Sequence, residues 1–267
     1  MELKGKVVLL TGGSRGIGPI MAEAFANRGA IIALAARSET GLEEVARQLK
    51  NTNAKVKIFP VDLKESLQRE RLIGSVLSEM GTVDILVNNA GLETEGAFSE
   101  LPWQSIQENI EVNLIAPIAL THLILPGMLK KKSGYIVNIA SIAAKNGAPY
   151  AAIYSGTKAG LAEWTRALRL ELAGTGIKFS TIFPGYVREV GMFARFGVKS
   201  PRIIGSCSPF QVAKAVIKAI EKERVETIVN SRPLRYVFSL NDLSPSLGDW
   251  LMRISGANDF QRKKVGK

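Results

Sequence analysis

The 267-residue chain holds one cysteine, Cys207, and one histidine, His122. A single thiol cannot close an internal disulfide, so the fold has to rest on a buried core. Neither residue has partners at metal-ligand or triad spacing, and His122 lies in a long apolar stretch where a structural or interfacial role suits it. No metal is expected. Long apolar runs are also missing. The most apolar segment, 114–129, is interrupted by Pro117, Thr121, His122, Pro126 and Gly127, which makes a poor membrane span. The opening MELKGKVVLL has too short an apolar run for a secretory signal, so a cytoplasmic, reducing location is the expectation. Acid is in short supply as well, with 24 Asp and Glu against 35 Lys and Arg and a net charge of +11. Nucleic acid, an anionic membrane surface or acidic substrates would each suit such a chain, and so would a plain solvated basic surface. No helix-turn-helix, zinc or RNA-binding signature accompanies the charge, so nucleic acid is not an expected partner.

What the chain does have is apolar content, 46%, enough for one large α/β domain. Short apolar runs at 6–10, 30–35, 55–60, 84–88, 134–139, 178–183 and 226–230 read as strands covered on both faces. Helical stretches near 17–27, 40–50, 66–80, 103–129, 154–173 and 209–221 alternate with them. Repeated β-α units with right-handed crossovers predict a single doubly wound Rossmann-type domain with a mostly seven-stranded parallel sheet and helices on both faces. It would occupy residues 1–230, with a C-terminal extension over 231–267. Ligands of such sheets bind beyond the carboxyl ends of the strands, and polar or small residues collect there in this chain.

The first strand breaks at Thr11 into the turn Gly12-Gly13-Ser14-Arg15-Gly16-Ile17-Gly18 and then a helical pattern. Glycines bring the backbone close to a ligand, and the free N–H groups and dipole of the helix N-terminus favour a phosphate. A plain αβ turn would look similar. Further on come Asn88-Asn89-Ala90-Gly91, Asn113, Ser141, Tyr154-x-x-x-Lys158 and Pro184-Gly185, in that order. Tyr154 is the one tyrosine of five with a lysine four residues on. Over about residues 4–230 the chain resembles the short-chain dehydrogenase/reductase family.

Residues at i and i+4 share a helix face, so Tyr154 and Lys158 would point into one cleft. An ammonium at roughly 4 Å is worth about 4 kcal/mol at an effective dielectric of 20. That would lower a phenol by up to about three pKa units, toward neutrality. Tyr154 would then give a proton to a carbonyl oxygen held by Ser141. The resemblance implies a second contact for Lys158, to the nicotinamide ribose, and a relay water held by Asn113. It also places Asp62 and Leu63 near adenine, Asn89-Ala90-Gly91 near its ribose, and Pro184, Gly185 and Val187 near the nicotinamide. For Asp62, capping the turn that follows is an equally good reading. Nicotinamide enzymes that use NAD tend to carry an acid at the end of the second strand. Here that position reads Ala36-Arg37-Ser38, and Arg37 with Arg15 would suit a 2′-phosphate, so NADP(H) is expected over NAD(H). A solvent-facing Arg37 is the alternative.

The implied activity is hydride transfer between NADP(H) and a carbonyl or secondary alcohol; an NADP-binding sensor without turnover, or a membrane-associated interaction protein, is the alternative. The family often has a threonine where Glu189 stands, which leaves that nicotinamide contact in doubt. Leu92, Tyr150, Met192, Phe193 and Phe196 are candidates to face a lipophilic substrate such as a sterol, retinoid or fatty-chain compound. In the family the helices corresponding to 103–129 and 154–173 commonly pair subunits, so a homodimer or homotetramer is expected. The tail mixes arginines with aromatic and aliphatic residues, which suits an interfacial helix on a membrane or a segment packed on the body or a second subunit.

Overall fold

The computed structural model describes residues 1–52, 54–193, 200, 204–254 and 256–266. Strands β1 (Val7–Thr11), β2 (Ile31–Ala36), β3 (Val56–Pro60), β4 (Ile85–Asn88), β5 (Gly134–Ile139), β6 (Ile177–Pro184) and β7 (Glu226–Val229) make one sheet. Its order is β3-β2-β1-β4-β5-β6-β7 and every pairing is parallel. The chain winds outward from β1 to β3, then crosses back to lay β4 on the other side of β1. That reversal opens a crevice at the carboxyl ends of β1 and β4, where doubly wound sheets take their ligands.

Helices α1 (Gly18–Ala26), α2 (Glu39–Gln48), α3 (Ser66–Met80), α4 (Trp103–Ile110), α5 (Ala116–Lys131), α6 (Ala152–Glu171) and α7 (Pro209–Glu221) make the crossovers. The inner strands are mostly apolar because successive side chains enter two different cores, whereas Lys57 of β3, Lys178 of β6 and Glu226 of β7 are exposed. Val8, Leu10, Ile32 and Leu34 pack with Met21 and Phe25 of α1, Leu42 of α2 and Val216 of α7. Leu9, Ala33, Leu86 and Ile136 pack on the opposite face with Val76 of α3 and Leu120 and Ile124 of α5. Each such fully buried side chain is worth about 1.5–3 kcal/mol of transfer free energy.

Two features depart from the expectation. The stretch expected as one helix over 103–129 is a continuous helical run, Trp103–Lys131, but a π-helical turn over Glu111–Ile115 separates α4 from α5. The run is long and apolar enough to cross a membrane by composition, yet Ala116, Leu120, Ile124 and Met128 are buried against the sheet. The tail forms three further helices, α8 (Arg235–Leu243), α9 (Pro245–Ile254) and α10 (Ala257–Lys264). These return over the carboxyl edge of the sheet and reach the crevice.

Candidate active site

Thr11, the last residue of β1, ties the two sides of the crevice together. Its hydroxyl accepts from the N–H groups of Asn89 (3.0 Å) and Ala90 (3.1 Å) and donates to the Val87 carbonyl (3.2 Å). The Asn89 amide donates back to the carbonyls of Thr11 (3.0 Å) and Gly12 (3.2 Å). Glycine is needed at two places in this turn. At Gly12, φ is 67° and a Cβ would lie 2.9 Å from the Ala90 Cα; at Gly18, a Cβ would lie 2.1 Å from the Gly12 carbonyl oxygen. Helix α1 begins there without a side-chain cap among the described residues, so its first N–H groups are left for an anion.

On the other side, β5 ends beside Ser141 and α6 carries Tyr154 and Lys158 one turn apart. Ser141 Oγ accepts from the Ala143 N–H (3.2 Å) and hydrogen-bonds the Tyr154 phenol. Lys158 is buried, and its Nζ donates to the Ile139 carbonyl (2.9 Å), 5.8 Å from the centre of the Tyr154 ring. Gly91 closes the gap between these elements. A Cβ there would come within 3.3 Å of Asn113 Oδ1 and 3.6 Å of Lys158 Nζ. Together they line a cavity of about 730 Å³ that runs from Gly12, Arg15, Gly16 and Ile17 past Asn89, Ala90, Gly91, Ser141, Tyr154 and Lys158 to Pro184, Gly185, Val187, Met192 and Phe193.

The family described as short chain dehydrogenase matches this chain over residues 6–199. The chain belongs to the short-chain dehydrogenase family. It is 39% identical over 268 residues to the ketoacyl reductase HetN of Nostoc sp. strain PCC 7120, covering 98% of this chain and 93% of that protein. It is 30% identical over 279 residues to dehydrogenase/reductase SDR family member 7B of Danio rerio, covering 100% of this chain and 89% of that one. Among solved structures, it is similar to an alcohol dehydrogenase of the archaeon Thermococcus sibiricus complexed with 5-hydroxy-NADP. That match has a TM-score of 0.77 and 30% identity over 86% of this chain and 99% of the other. A metagenomic short-chain oxidoreductase in complex with NADP gives a TM-score of 0.74 at 29% identity, over 87% and 99%. The chain is thus an oxidoreductase of the short-chain dehydrogenase type.

Within this family's crevice, several expected residues sit differently from the expectation. The phenol of Tyr154 was expected to be lowered by Lys158 and is instead raised above its ordinary value. Burial is the main cause, the charge of Glu93 adds to it, and the Ser141 hydrogen bond opposes it. Burial also lowers Lys158, to about 8, while the charge of Glu93 opposes the shift. Nζ lies over the Tyr154 ring and is bonded to a carbonyl, and its charge is not among the causes that shift the phenol, so desolvation prevails. Asn113, to which the resemblance gives a relay water, has its side-chain carboxamide held by protein groups. It accepts from the Leu92 N–H (2.8 Å) and donates to the Leu92 carbonyl (2.8 Å) and Asn109 Oδ1 (2.8 Å). The π turn that carries it is the kind of inserted residue that clusters at functional positions.

Leu92 is therefore a backbone partner of Asn113 and does not line the cavity, while Tyr150 lines a neighbouring one. Phe196 lies outside the described residues. Asp62 accepts from the Lys64 N–H (3.0 Å), the turn cap weighed above, and Leu63 is buried in the core. Arg37 is exposed just before Ser38, whose hydroxyl caps α2, and Ser14 packs beside Gly41.

Sequence motifs miss the charged group at the cavity's outer end. Lys264 of α10 is buried, with its side chain 1% exposed, and pairs with Glu93 (3.0 Å) and Glu95. Its helix also brings Gln261 to the Tyr186 hydroxyl (3.1 Å), Arg262 to the Tyr150 hydroxyl (3.1 Å), and Phe260 edge-on to Tyr186. Two acids two residues apart, directly behind Asn-Asn-Ala-Gly, were the available signal.

Proposed function

We propose that this chain transfers hydride between NADP(H) and a carbonyl or secondary alcohol of lipophilic character. The observation that carries the reading is the convergence of Ser141, Tyr154 and Lys158 on one cavity with the glycine turn at its far end. The turn fits a dinucleotide: Gly12, Arg15, Gly16 and Ile17 line the cavity, and the uncapped α1 N-terminus suits a pyrophosphate. When bound, the nicotinamide supplies or accepts the hydride. Lys158 holds the ribose, Ser141 orients the carbonyl oxygen, and the Tyr154 hydroxyl delivers its proton to that oxygen as negative charge develops. A phenol held above its ordinary value remains protonated at neutral pH, the form that donates to a carbonyl oxygen.

Arg15 at the cavity and Arg37 after β2, where an acid would favour NAD, support NADP(H), as do the NADP and 5-hydroxy-NADP of the two similar structures. The substrate end has apolar walls beside the Lys264–Glu93–Glu95 group: Ile142, Met192, Phe193, Leu234 and Phe238 supply surface that a sterol, retinoid or fatty-chain compound would fill. Replacing Tyr154 by Phe should lower NADPH-dependent carbonyl reduction by about a hundred- to ten-thousand-fold. NADPH binding, followed by nucleotide fluorescence, should survive the change. Retained turnover would overturn the assignment of the proton donor, and turnover on small polar ketones alone would remove the lipophilic class. The second reading, a cofactor sensor without turnover, is favoured by the helix α10 that lies against the outer end; wild-type inactivity across a carbonyl panel with NADPH binding intact would select it.

A further inference from the structure

Helices α8 and α9 each carry two working faces. On α8, Tyr236, Leu240 and Leu243 repeat at i, i+4 and i+7 and are 78%, 38% and 84% exposed. On α9, Leu247, Trp250 and Ile254 repeat at i, i+3 and i+7 and are 38%, 54% and 60% exposed. The two helices are locked side by side, since a Cβ at Gly248 would lie 1.9 Å from Asn241 Oδ1. Phe238, Asn241 and Gly248 turn the other way and line the cavity. Val237 and Ile254 do both: they line the cavity and stay exposed, so the outer apolar face meets the cavity at its rim.

An apolar face of this extent is uncommon on a surface that meets only water. Two properties select its partner. Residues 231–267 hold seven Lys and Arg against three Asp, with Lys264 among them buried in its pair with Glu93 and Glu95. On α8 and α9 themselves the exposed Arg235 and Arg253 are matched by Asp242 and Asp249, so the positive excess is that of the whole chain, +11. A second copy would set like charge against like, whereas an anionic bilayer complements it. Tyr236 and Trp250 also have the amphipathic rings that settle at headgroup level. We propose that α8 and α9 seat the enzyme on an anionic lipid surface and that substrate enters from the acyl phase past Val237 and Ile254. The docking stands on these helices alone; the entry route rests on the lipophilic-substrate reading.

The test is sedimentation of the full chain with phosphatidylcholine vesicles, with and without phosphatidylglycerol. The chain should sediment with the anionic vesicles and be released by salt. Leu243→Ser with Trp250→Ser, neither of which touches the cavity, should cut the bound fraction by about tenfold or more. NADPH binding and turnover of a short soluble carbonyl should be unchanged, while KM for a vesicle-borne long-chain carbonyl rises. Arg235→Gln with Arg253→Gln should weaken binding to the anionic vesicles only. The proposal is overturned if the parent ignores both vesicles or if the double serine variant binds as the parent does. It is also overturned if the parent is a dimer in solution that this variant converts to monomers. A parent that binds vesicles but reduces no carbonyl would sink the enzymatic reading and leave the docking in place.

Discussion

Glu189 stands in left-handed backbone, with φ of 74°, a few residues beyond Pro184-Gly185. The Val190 N–H reaches back to the Arg188 carbonyl (2.8 Å), a three-residue turn of the strained γ kind with Glu189 at its centre. A β-branched threonine is poorly suited to that backbone, which gives a physical reason for its absence here. Glu189→Thr should therefore lose about 1–2 kcal/mol in denaturant unfolding, and Glu189→Gly should not. Equal losses in the two variants would mean that the carboxylate, not the backbone, matters. Lys264 raises a different question, because its partners are buried with it. Lys264→Met would strand the Glu93 charge at the cavity's outer end, at a cost of several kcal/mol if the helix stayed docked. Undocking of α10 is the cheaper outcome. Hydrogen exchange should show lost protection over 257–264 with little change in the sheet; a uniform loss across the chain would refute this localisation.

At the scale of elements, the docking of α10 should depend on pH. Glu95 is raised from 4.5 to about 8, chiefly by burial, then by the hydrogen bond and charge of Glu93, with Lys264 opposing. A carboxyl whose value rises on docking binds its proton more tightly in the docked state. Its contribution is complete below 4.5 and is lost as pH climbs through about 8. Intrinsic-rate-corrected exchange over α10 should thus be slower near pH 6 than near pH 9, and Glu95→Gln should flatten the difference. Protection that increases with pH would contradict the sign. The same helix marks the limit of what could be read from sequence. Strands such as Val7–Thr11 were legible because burial on both faces leaves an unbroken apolar run, and Tyr154 with Lys158 because helical spacing alone puts them on one side. The π turn under Asn113 carries no spacing signal, since the helix after it, Ala116–Lys131, is apolar on most sides and has no clear stripe whose phase an inserted residue would shift. The partners of Lys264 on α10 are Glu93 and Glu95, about 170 residues earlier, and no local periodicity reports a contact at that distance.

For the molecule as a whole, the fold concentrates its chemistry by topology. The reversal between β1 and β4 brings the glycine turn, Asn89–Gly91 and, through β5 and α6, Ser141 and Tyr154 to one edge of one sheet. A ligand that bridges these elements should stabilise all of them at once, because it binds only where they are assembled. At a hundredfold excess over Kd, linkage gives about 2.7 kcal/mol. For a chain of this size, that corresponds to a rise in Tm of about 5–10 °C. NADPH should produce this shift, and NADH at the same concentration a smaller one, because Arg15 and Arg37 have a charge to meet only in the 2′-phosphate. Loss of charge-assisted hydrogen bonds worth about 1.5–3 kcal/mol would follow from Arg15→Gln with Arg37→Gln. In that variant the NADPH shift should fall to the NADH level while the NADH shift holds. Equal shifts by the two nucleotides in the parent protein would overturn the NADP preference, and because neither arginine belongs to the Ser141–Tyr154–Lys158 group, that outcome would leave the proposed chemistry of the carbonyl untouched.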